Sequence, residues 1–414
     1  MTIASTPELP NPSLDASSSR RGTMSRKWDR YASRGSGAAP TPLWVADMDF
    51  AAPRAVVDAV TTVARRGVYG YADPSPAMEA AAREVLVARH GFGASDATST
   101  RWLPGLNPGL NHAARAATRK YGTAVTVASC TPIYPPFLYA SRNNAMNRIE
   151  VPLARRREGG VERYDVDWEA LDETLARDEV KILLWCNPHN PVGRVWTRAE
   201  MTRVASMCVA RDVILCSDEV WRDLILDEAA TPFCGAGSLC DDVEGLRERL
   251  IVLTSPSKTY NVAGCDVALA CVPDKALRLH FARAGSDKAE ITPFGYAACL
   301  AAYTDPSCEE WRQRLLTYLR ANRDHIAETL AANATARELL TWTVPDASYL
   351  TWVNCERLVD RIGRSPFDHF IDHGVVLSDG APFSAPRSCR INFGTRRDIL
   401  DRGLRGIELG LENA

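Results

Sequence analysis

Residues 181–218 read KILLWCNPHNPVGRVWTRAEMTRVASMCVARDVILCSD, with a short apolar run at each end of a longer mixed segment. The runs KILLWC (181–186) and VILCSD (213–218) are mostly apolar, whereas residues 197–212 have the spacing of a helix. Strands that are apolar on both faces and alternate with helices are typical of a parallel sheet covered on both sides. The stretch therefore predicts a strand–helix–strand unit of an α/β domain.

The same alternation extends over residues 53–300. Further strands are predicted at 124–129, 251–255 and 267–272, and further helices at 53–66, 76–90 and 107–120. After Pro306 the predicted elements are a long amphipathic helix at 309–335 and strands near 341–344, 348–353, 375–378 and 388–393. We expect a large α/β domain over 41–300 and a smaller α+β domain over 301–414, completed by the first residues after 40.

The composition is that of an ordinary globular protein. The 414 residues are 46% hydrophobic and 24% charged with a net charge of −2, which argues against a nucleic-acid-binding surface. No apolar run reaches the roughly 18–20 residues of a membrane span. Residues 1–40 are rich in Ser, Pro and Arg and lack the apolar stretch of a secretory signal, so we expect a flexible N-terminal arm.

The cysteines favour a reducing compartment. Twelve are scattered along the chain without a CxxC pair or a Cys/His cluster, so no metal site is predicted. Several lie inside apolar runs, as Cys186 and Cys216 do. Buried, reduced thiols in a cytoplasmic protein are the interpretation that this pattern favours.

Polar residues at the ends of the predicted strands are the candidates for chemistry, because ligands of open parallel sheets bind at the carboxyl ends of the strands. Lys258 follows the run IVLT in the turn SPSKTYN. It is either a surface lysine or an amine in a partly dry pocket that could form a Schiff base. Asp218 ends the run VILCSD. It is either a cap for the next segment or an acceptor that keeps a ring nitrogen protonated.

Four further candidates each allow a structural and a functional interpretation when they are considered separately. Asn190 lies in the rigid turn NPHNPVG, and could also donate into the same cleft. The PGLNPG turn at 104–109 precedes a helix whose N–H groups could hold a phosphate. Tyr134 could be core or could stack on a flat ring. Arg390 could form a structural salt bridge or bind a carboxylate.

In their order and spacing these features resemble the fold-type I enzymes that use pyridoxal 5′-phosphate (PLP), and the match runs from Leu43 to the C-terminus. Five phrases resemble the cystathionine β-lyase (C–S lyase) branch of the class I/II aminotransferase superfamily: LWVADMDF (43–50), GVYGY (67–71), TPIYPPF (131–137), NPHNPVGRVWT (187–197) and ASYLTW (347–352). The resemblance implies an aspartate aminotransferase-like α/β fold, with a mostly parallel seven-stranded sheet between helices in a large PLP-binding domain.

The resemblance also implies roles around the PLP ring and the substrate. Lys258 would hold PLP as an aldimine, and would be the catalytic residue. Asp218 would pair with the ring nitrogen, Asn190 with the ring hydroxyl, and Tyr134 would stack on the ring. Arg390 would bind the substrate α-carboxylate, with Asn190 beside it.

A second set of roles concerns the phosphate. The main-chain N–H groups of Gly105 and Leu106, together with Ser255 and Ser257, would bind it. Tyr71 would reach the phosphate of a neighbouring subunit. The implied active unit is therefore a homodimer with a shared active site.

Three residues depart from the pattern of the superfamily. Asp266 stands eight residues after the lysine, where many aminotransferases have a phosphate-binding Arg. Trp221 follows Asp-Glu-Val where Tyr or His is common, and its N–H is its only hydrogen-bonding group. His189 could be part of the turn or a substrate contact.

Three functions follow from the resemblance and these departures. The leading one is PLP-dependent α,β-elimination from an S-substituted L-cysteine, which yields a thiol, pyruvate and ammonia. An alternative keeps the cofactor but transaminates, or decarboxylates and oxidatively deaminates, a cysteine S-conjugate in a biosynthetic pathway. The third is a regulator that binds a partner, for which only residues 1–40 are available.

Overall fold

The computed structural model describes residues 20–34, 39–122, 125–287 and 289–414. The strands, in chain order, are β1 (Thr41–Leu43), β2 (Thr100–Leu103), β3 (Thr126–Thr131), β4 (Asn147–Pro152), β5 (Ala154–Glu158), β6 (Val161–Asp165), β7 (Val180–Cys186), β8 (Ile214–Asp218), β9 (Leu250–Thr254), β10 (Ala268–Cys271), β11 (Thr341–Trp342), β12 (Leu350–Asn354), β13 (Val375–Asp379) and β14 (Ser388–Asn392). The α-helices are α1 (Arg26–Asp29), α2 (Arg54–Arg65), α3 (Pro76–His90), α4 (Leu106–Tyr121), α5 (Pro135–Asn143), α6 (Trp168–Leu175), α7 (Arg198–Ala210), α8 (Lys275–Ala284), α9 (Pro293–Thr304), α10 (Pro306–Ala332), α11 (Ala334–Leu339), α12 (Glu356–Ile362), α13 (Pro366–Asp372) and α14 (Arg397–Glu412). Within the described residues, no helix is both long and apolar enough to cross a membrane.

The first sheet has seven strands in the order β2-β10-β9-β8-β7-β3-β4. Every neighbouring pair is parallel except the two that involve β10. Leu183 of β7 packs into the core on one face, which includes residues of α6 and α7. Ile182 and Leu184 pack into the core on the other face, which includes residues of α4 and α8. This arrangement confirms the predicted, mostly parallel sheet between helices. Residue 124, where strand β3 was predicted to begin, lies outside the described residues.

The direction of the strands brings four chain turns to one edge of this sheet. Parallel strands β7, β8 and β9 end at Cys186, Asp218 and Thr254. Strand β2 points the same way, because β10 is antiparallel to both β2 and β9. The turn that follows Leu103 and leads into α4 therefore opens at the same edge.

The second sheet also has seven strands, in the order β1-β13-β14-β12-β11-β6-β5. Strand β1 pairs in parallel with β13, as expected for residues just after 40. The hairpin of β5 and β6 also joins this sheet, although residues 154–165 fall within the range predicted for the large domain. The helix predicted at 309–335 is two helices, because the side chain of Asn333 accepts a hydrogen bond from Ala336 and caps α11.

Part of the predicted N-terminal arm is packed. Residues 1–19 and 35–38 lie outside the described residues, so the prediction is not tested there. In residues 20–34, Ser25 caps the short helix α1, and the side chain of Lys27 is buried. The polar composition that suggested flexibility instead supplies ion pairs, because Lys27 and Arg20 both contact Asp49.

Candidate active site

A cavity of about 320 Å³ lies at the edge of the first sheet where the parallel strands end. Eight of the residues predicted to bind the cofactor line it: Gly105, Leu106, Tyr134, Asn190, Asp218, Ser255, Ser257 and Lys258. They come from the loops after five different strands, which only the tertiary fold brings together. Pockets of roughly 300–1,000 Å³ are typical of small-molecule sites.

Lys258 lines this cavity and is partly buried. Its Nζ donates to the main-chain oxygen of Ala46 at 3.0 Å and lies 5.8 Å from the ring centroid of Trp221. Burial, with a contribution from the positive charge of Arg390, lowers the pKa of Lys258 to about 8. The unprotonated fraction of this amine near neutral pH is therefore far larger than that of an ordinary lysine, which suits a nucleophile or general base.

Asp218 is the buried carboxylate of the site. Its Oδ1 accepts a hydrogen bond from the main-chain N–H of Val220 at 3.1 Å. Burial nevertheless raises the pKa of Asp218 to about 7, and the nearby charge of Lys258 only partly opposes the rise. A cation placed against this carboxylate would hold it ionised.

Arg390 and Asn190 are joined across the two sheets. Arg390 Nη1 donates to Asn190 Oδ1 at 2.9 Å, and Nη2 donates to Trp44 O and to Ser378 Oγ, each at 3.2 Å. Burial lowers the pKa of Arg390 to about 10, and its Nε is buried without a partner among the described residues. Because the oxygen of Asn190 is engaged, its amide N–H groups are what it can still offer to a ligand.

The N-terminus of α4 forms the other end of the cavity. Gly105 precedes the helix with φ 122°, a conformation that L side chains rarely adopt. Ser257 lines the cavity, but Ser255 donates its hydroxyl proton to Val267 O at 2.7 Å and accepts from the N–H of Ser257 at 3.0 Å. In this structure the Ser255 hydroxyl is thus committed to the loop, and the helix N-terminus and Ser257 are the donors that face an anion.

The two remaining predicted cofactor residues, Tyr134 and Tyr71, differ in their exposure to solvent. Tyr134 lines the cavity and also packs against the cores of both sheet faces, and burial raises its pKa. Tyr71 lies between α2 and α3 and is 96% exposed in the single chain. The structure therefore does not bring Tyr71 to the cavity of its own chain.

The three residues that depart from the superfamily pattern lie in different surroundings. Asp266 is exposed and lines the same cavity as Gly105 and Ser257, the residues predicted to meet a phosphate. Trp221 is buried, lines the cavity and packs edge-on against Tyr349 at 5.0 Å. His189 is buried, and its Nε2 donates to Pro132 O at 2.9 Å, so it belongs to the turn.

The main-chain oxygens that accept hydrogen bonds from Lys258 and Arg390 were not predicted from the sequence. Ala46 O and Trp44 O accept from Lys258 and Arg390, and Tyr349 also donates to Ala46 O at 3.0 Å. The phrases LWVADMDF and ASYLTW contain these residues. They were noted as marks of a family, but main-chain acceptors carry no signal in their residue type.

The chain is similar to known proteins over nearly its whole length. The model of the family "Aminotransferase class I and II" matches residues 42–407. The chain belongs to this family. Its members include relatives that match nearly the full chain, among them cystathionine beta-lyase PatB of Bacillus subtilis, which is 30% identical over 96% of this chain and 99% of PatB.

Two solved structures extend the comparison to the family fold. The crystal structure of OvoB superposes with a TM-score of 0.84 at 33% identity, over 96% of this chain and 98% of OvoB. A PLP-bound protein from Clostridium difficile 630 superposes with a TM-score of 0.85 at 26% identity, over 97% of this chain and 100% of that one. The aspartate aminotransferase-like fold is confirmed by an aspartate aminotransferase of Thermus thermophilus, which superposes with a TM-score of 0.75 at 19% identity, over 91% of this chain and 92% of that one.

The cavity fits the PLP of this family. A protonated ring nitrogen would supply positive charge to Asp218, whose raised pKa reflects burial that its surroundings do not offset. A phosphate would meet the N-terminus of α4, where a Cβ added at Gly105 would meet only Pro108 Cδ, at 3.8 Å. The amine of Lys258 shares this cavity.

Proposed function

We propose that the protein is a PLP-dependent carbon–sulfur lyase that cleaves an S-substituted L-cysteine by α,β-elimination, with thiol, pyruvate and ammonia as products. The observation that carries the proposal is the amine of Lys258, which has a lowered pKa, shares one cavity with Asp218 and lies close to Arg390. The relationship to PatB, a cystathionine beta-lyase, supports elimination as the outcome.

The chain's own residues have distinct tasks in this reaction. Arg390 binds the α-carboxylate of the substrate, and its bonds to Asn190 and Trp44 fix the plane of the guanidinium. Lys258 Nζ takes the α-proton as general base, for which a pKa of about 8 is suitable. PLP, when bound, withdraws electrons from the α-carbon and so makes that proton acidic.

Asp218 and the depth of the cavity assist the proton transfer. An ionised Asp218 would stabilise positive charge on the ring nitrogen of bound PLP. Asp218 is buried and Lys258 is partly buried, which limits the access of water and strengthens these electrostatic interactions. Proton removal is thereby confined to the α-carbon that Arg390 presents.

Product analysis tests the function. The PLP-loaded protein is incubated in air with a panel of S-substituted cysteines, and the products are identified by mass spectrometry. Lys258→Ala is the inactive variant, and Lys275→Ala, which removes an exposed lysine at the start of α8, is the matched control. We expect thiol, pyruvate and ammonia from the wild type and the control only. An intact sulfur conjugate with a new aldehyde or keto group would overturn elimination in favour of transamination or oxidative deamination.

We also propose that the active unit is a homodimer in which Tyr71 serves the partner's site. Tyr71, Tyr69 and Val68 form an exposed apolar segment between α2 and α3, with exposed fractions of 96%, 58% and 79%. Such a cluster favours burial against another surface. Mixing Tyr71→Ala with Lys258→Ala tests this. Heterodimers then carry one intact site, so an equal mixture of the two inactive variants should recover about a quarter of the wild-type activity. No recovery after verified subunit exchange would contradict a shared site.

A cytoplasmic location is the last part of the proposal. All twelve cysteines are free, and all but Cys265 are buried. Chains in oxidising compartments more often pair their cysteines. Cell fractionation of the producing organism checks the location, and activity confined to the extracellular fraction would contradict it.

A further inference from the structure

Lys258 and Arg390 are both hydrogen-bonded to the same loop, residues 44–50. Trp44 O accepts from Arg390 Nη2 at 3.2 Å, and Ala46 O accepts from Lys258 Nζ at 3.0 Å. The position of both cationic groups therefore depends on main-chain oxygens that lie two residues apart. A shift of this loop would move the base and the carboxylate-binding group together.

Two asparagines hold the loop from the side of the site. Asn261, three residues after Lys258, accepts from Met48 N–H at 3.0 Å and donates to Met48 O and Phe50 O at 3.0 and 2.8 Å. Asn392, two residues after Arg390, donates to Asp47 O at 2.7 Å. These contacts tie the loop to the two segments that carry Lys258 and Arg390.

The N-terminal segment also holds the loop, through a buried ion pair. Lys27 Nζ lies 2.8 Å from Asp49 Oδ2, and the two side chains are 0% and 2% exposed. The same ammonium donates to Asp47 O at 3.3 Å, and Trp28 Nε1 donates to Asp49 Oδ1 at 2.7 Å. In return, Trp44 Nε1 donates to the main-chain oxygen of Lys27 at 2.9 Å.

A buried lysine ammonium is costly unless it is paired and hydrogen-bonded, so this arrangement tolerates little displacement. The pair also lowers the pKa of Asp49, although burial alone would raise it. By contrast, the ion pair of Arg34 and Asp368 in the same N-terminal segment is about half exposed. Exposed pairs of that kind contribute little. Lys27 is thus the fully buried attachment of the segment to the loop, beside the partly exposed Arg20, which pairs with Asp47 and Asp49.

We propose that Lys27, through its buried ion pair with Asp49, is a positioning residue that fixes the 44–50 loop and thereby places Lys258 and Arg390. The role rests on the proposed function, in which these two residues act on the substrate. It also gives the N-terminal segment a task in the active site of its own chain, without contact with the substrate.

The test compares Lys27→Met, which removes the charge at similar length, with Arg34→Met, which removes the exposed pair. Hydrogen–deuterium exchange of the 44–50 amides is measured on the PLP-free protein, so this readout is independent of the reaction catalysed. We expect exchange in Lys27→Met to be at least ~10-fold faster in this loop, with Arg34→Met like the wild type. Equal exchange in all three proteins would overturn the proposal.

A second readout separates positioning from a merely structural role. On the substrate identified by product analysis, Lys27→Met should raise KM because Arg390 is displaced, and lower kcat because Lys258 is displaced. The rate at which the PLP-free variant captures PLP should also fall, and this needs no lyase substrate. A variant that only melts earlier, with unchanged KM, kcat and capture rate below its Tm, would overturn the proposal.

If Lys27→Met does not fold, Trp28→Phe serves in its place, because it removes the hydrogen bond from Nε1 to Asp49 while keeping an aromatic ring and the Lys27 ammonium. We expect the same direction of change at smaller size. Unchanged exchange in the loop of this variant would likewise overturn the proposal. Failure of the proposed function would appear differently, as altered products with the effects on loop exchange and PLP capture intact.

Discussion

The Nζ of Lys258 lies 3.0 Å from the main-chain oxygen of Ala46. This acceptor is a neutral oxygen, so it satisfies a hydrogen bond without supplying negative charge. Burial therefore dominates and lowers the pKa of the amine to about 8, although Asp47 and Asp218 partly oppose it. The surroundings of Lys258 thus lower the pKa of its amine in the absence of a ligand.

Capture of PLP by the PLP-free protein should follow the titration of Lys258. Only the unprotonated amine attacks a carbonyl, so the capture rate should rise with pH and level off above about 8, well below the ordinary lysine value of 10.5. Stopped-flow absorption across the pH range measures this. In Arg390→Met the midpoint should move upward, because the charge of Arg390 helps to lower the pKa. A rate still climbing towards pH 10.5 in the wild type would contradict the assignment.

Asp218→Asn should leave PLP bound but slow turnover. An amide cannot stabilise positive charge on the ring nitrogen, and loss of one preorganised electrostatic group costs about 10²–10³ in kcat. Steady-state kinetics with PLP occupancy checked by absorption measures it. Asp227→Asn, at an exposed carboxylate nearby, is the matched control. Similar kcat values for the two variants would contradict the role of Asp218.

Arg390→Lys should weaken substrate binding although it keeps the charge. Lysine cannot make two parallel N–H bonds to a carboxylate, and Asn190 Oδ1 or Trp44 O would lose its donor. We expect KM to rise by roughly 10- to 100-fold, equivalent to about 1.4–2.8 kcal/mol. An S-substituted cysteamine, which lacks the carboxylate, should inhibit both proteins equally. Stronger inhibition of the wild type would place Arg390 elsewhere in the mechanism.

His189→Phe should affect stability and leave KM unchanged. The change removes the donor to buried Pro132 O, which costs about 1–3 kcal/mol of unfolding free energy. Burial lowers the pKa of His189 from 6.5 to about 4. The neutral ring therefore contributes stability above pH 6.5 that is lost as the pH falls towards 4. Urea unfolding should show the gap between wild type and variant narrowing over that range, whereas a raised KM would make His189 a substrate contact.

Strands that are buried on both faces of the sheet could be predicted from their continuous apolar sequences. Strands β7, β8 and β9 lie within two residues of their predicted ends, because a central strand must be apolar throughout. The β5–β6 hairpin was missed, since its Arg-rich residues are largely exposed and carry no apolar run. Its place in the second sheet depends on one pairing of Val161 with Trp342, far apart in the chain.

The sequence by itself determined the sheet, the family and the residue types at the strand ends, because local hydrophobic patterns and spaced motifs are properties of the chain alone. Only the tertiary structure decided that Lys27 pairs with Asp49 of the 44–50 loop, and that Lys258 and Arg390 donate to the oxygens of Ala46 and Trp44. A main-chain acceptor is chemically the same at every residue, and the cost of burying an ammonium depends on what surrounds it. Those interactions arise only when distant segments of the chain meet.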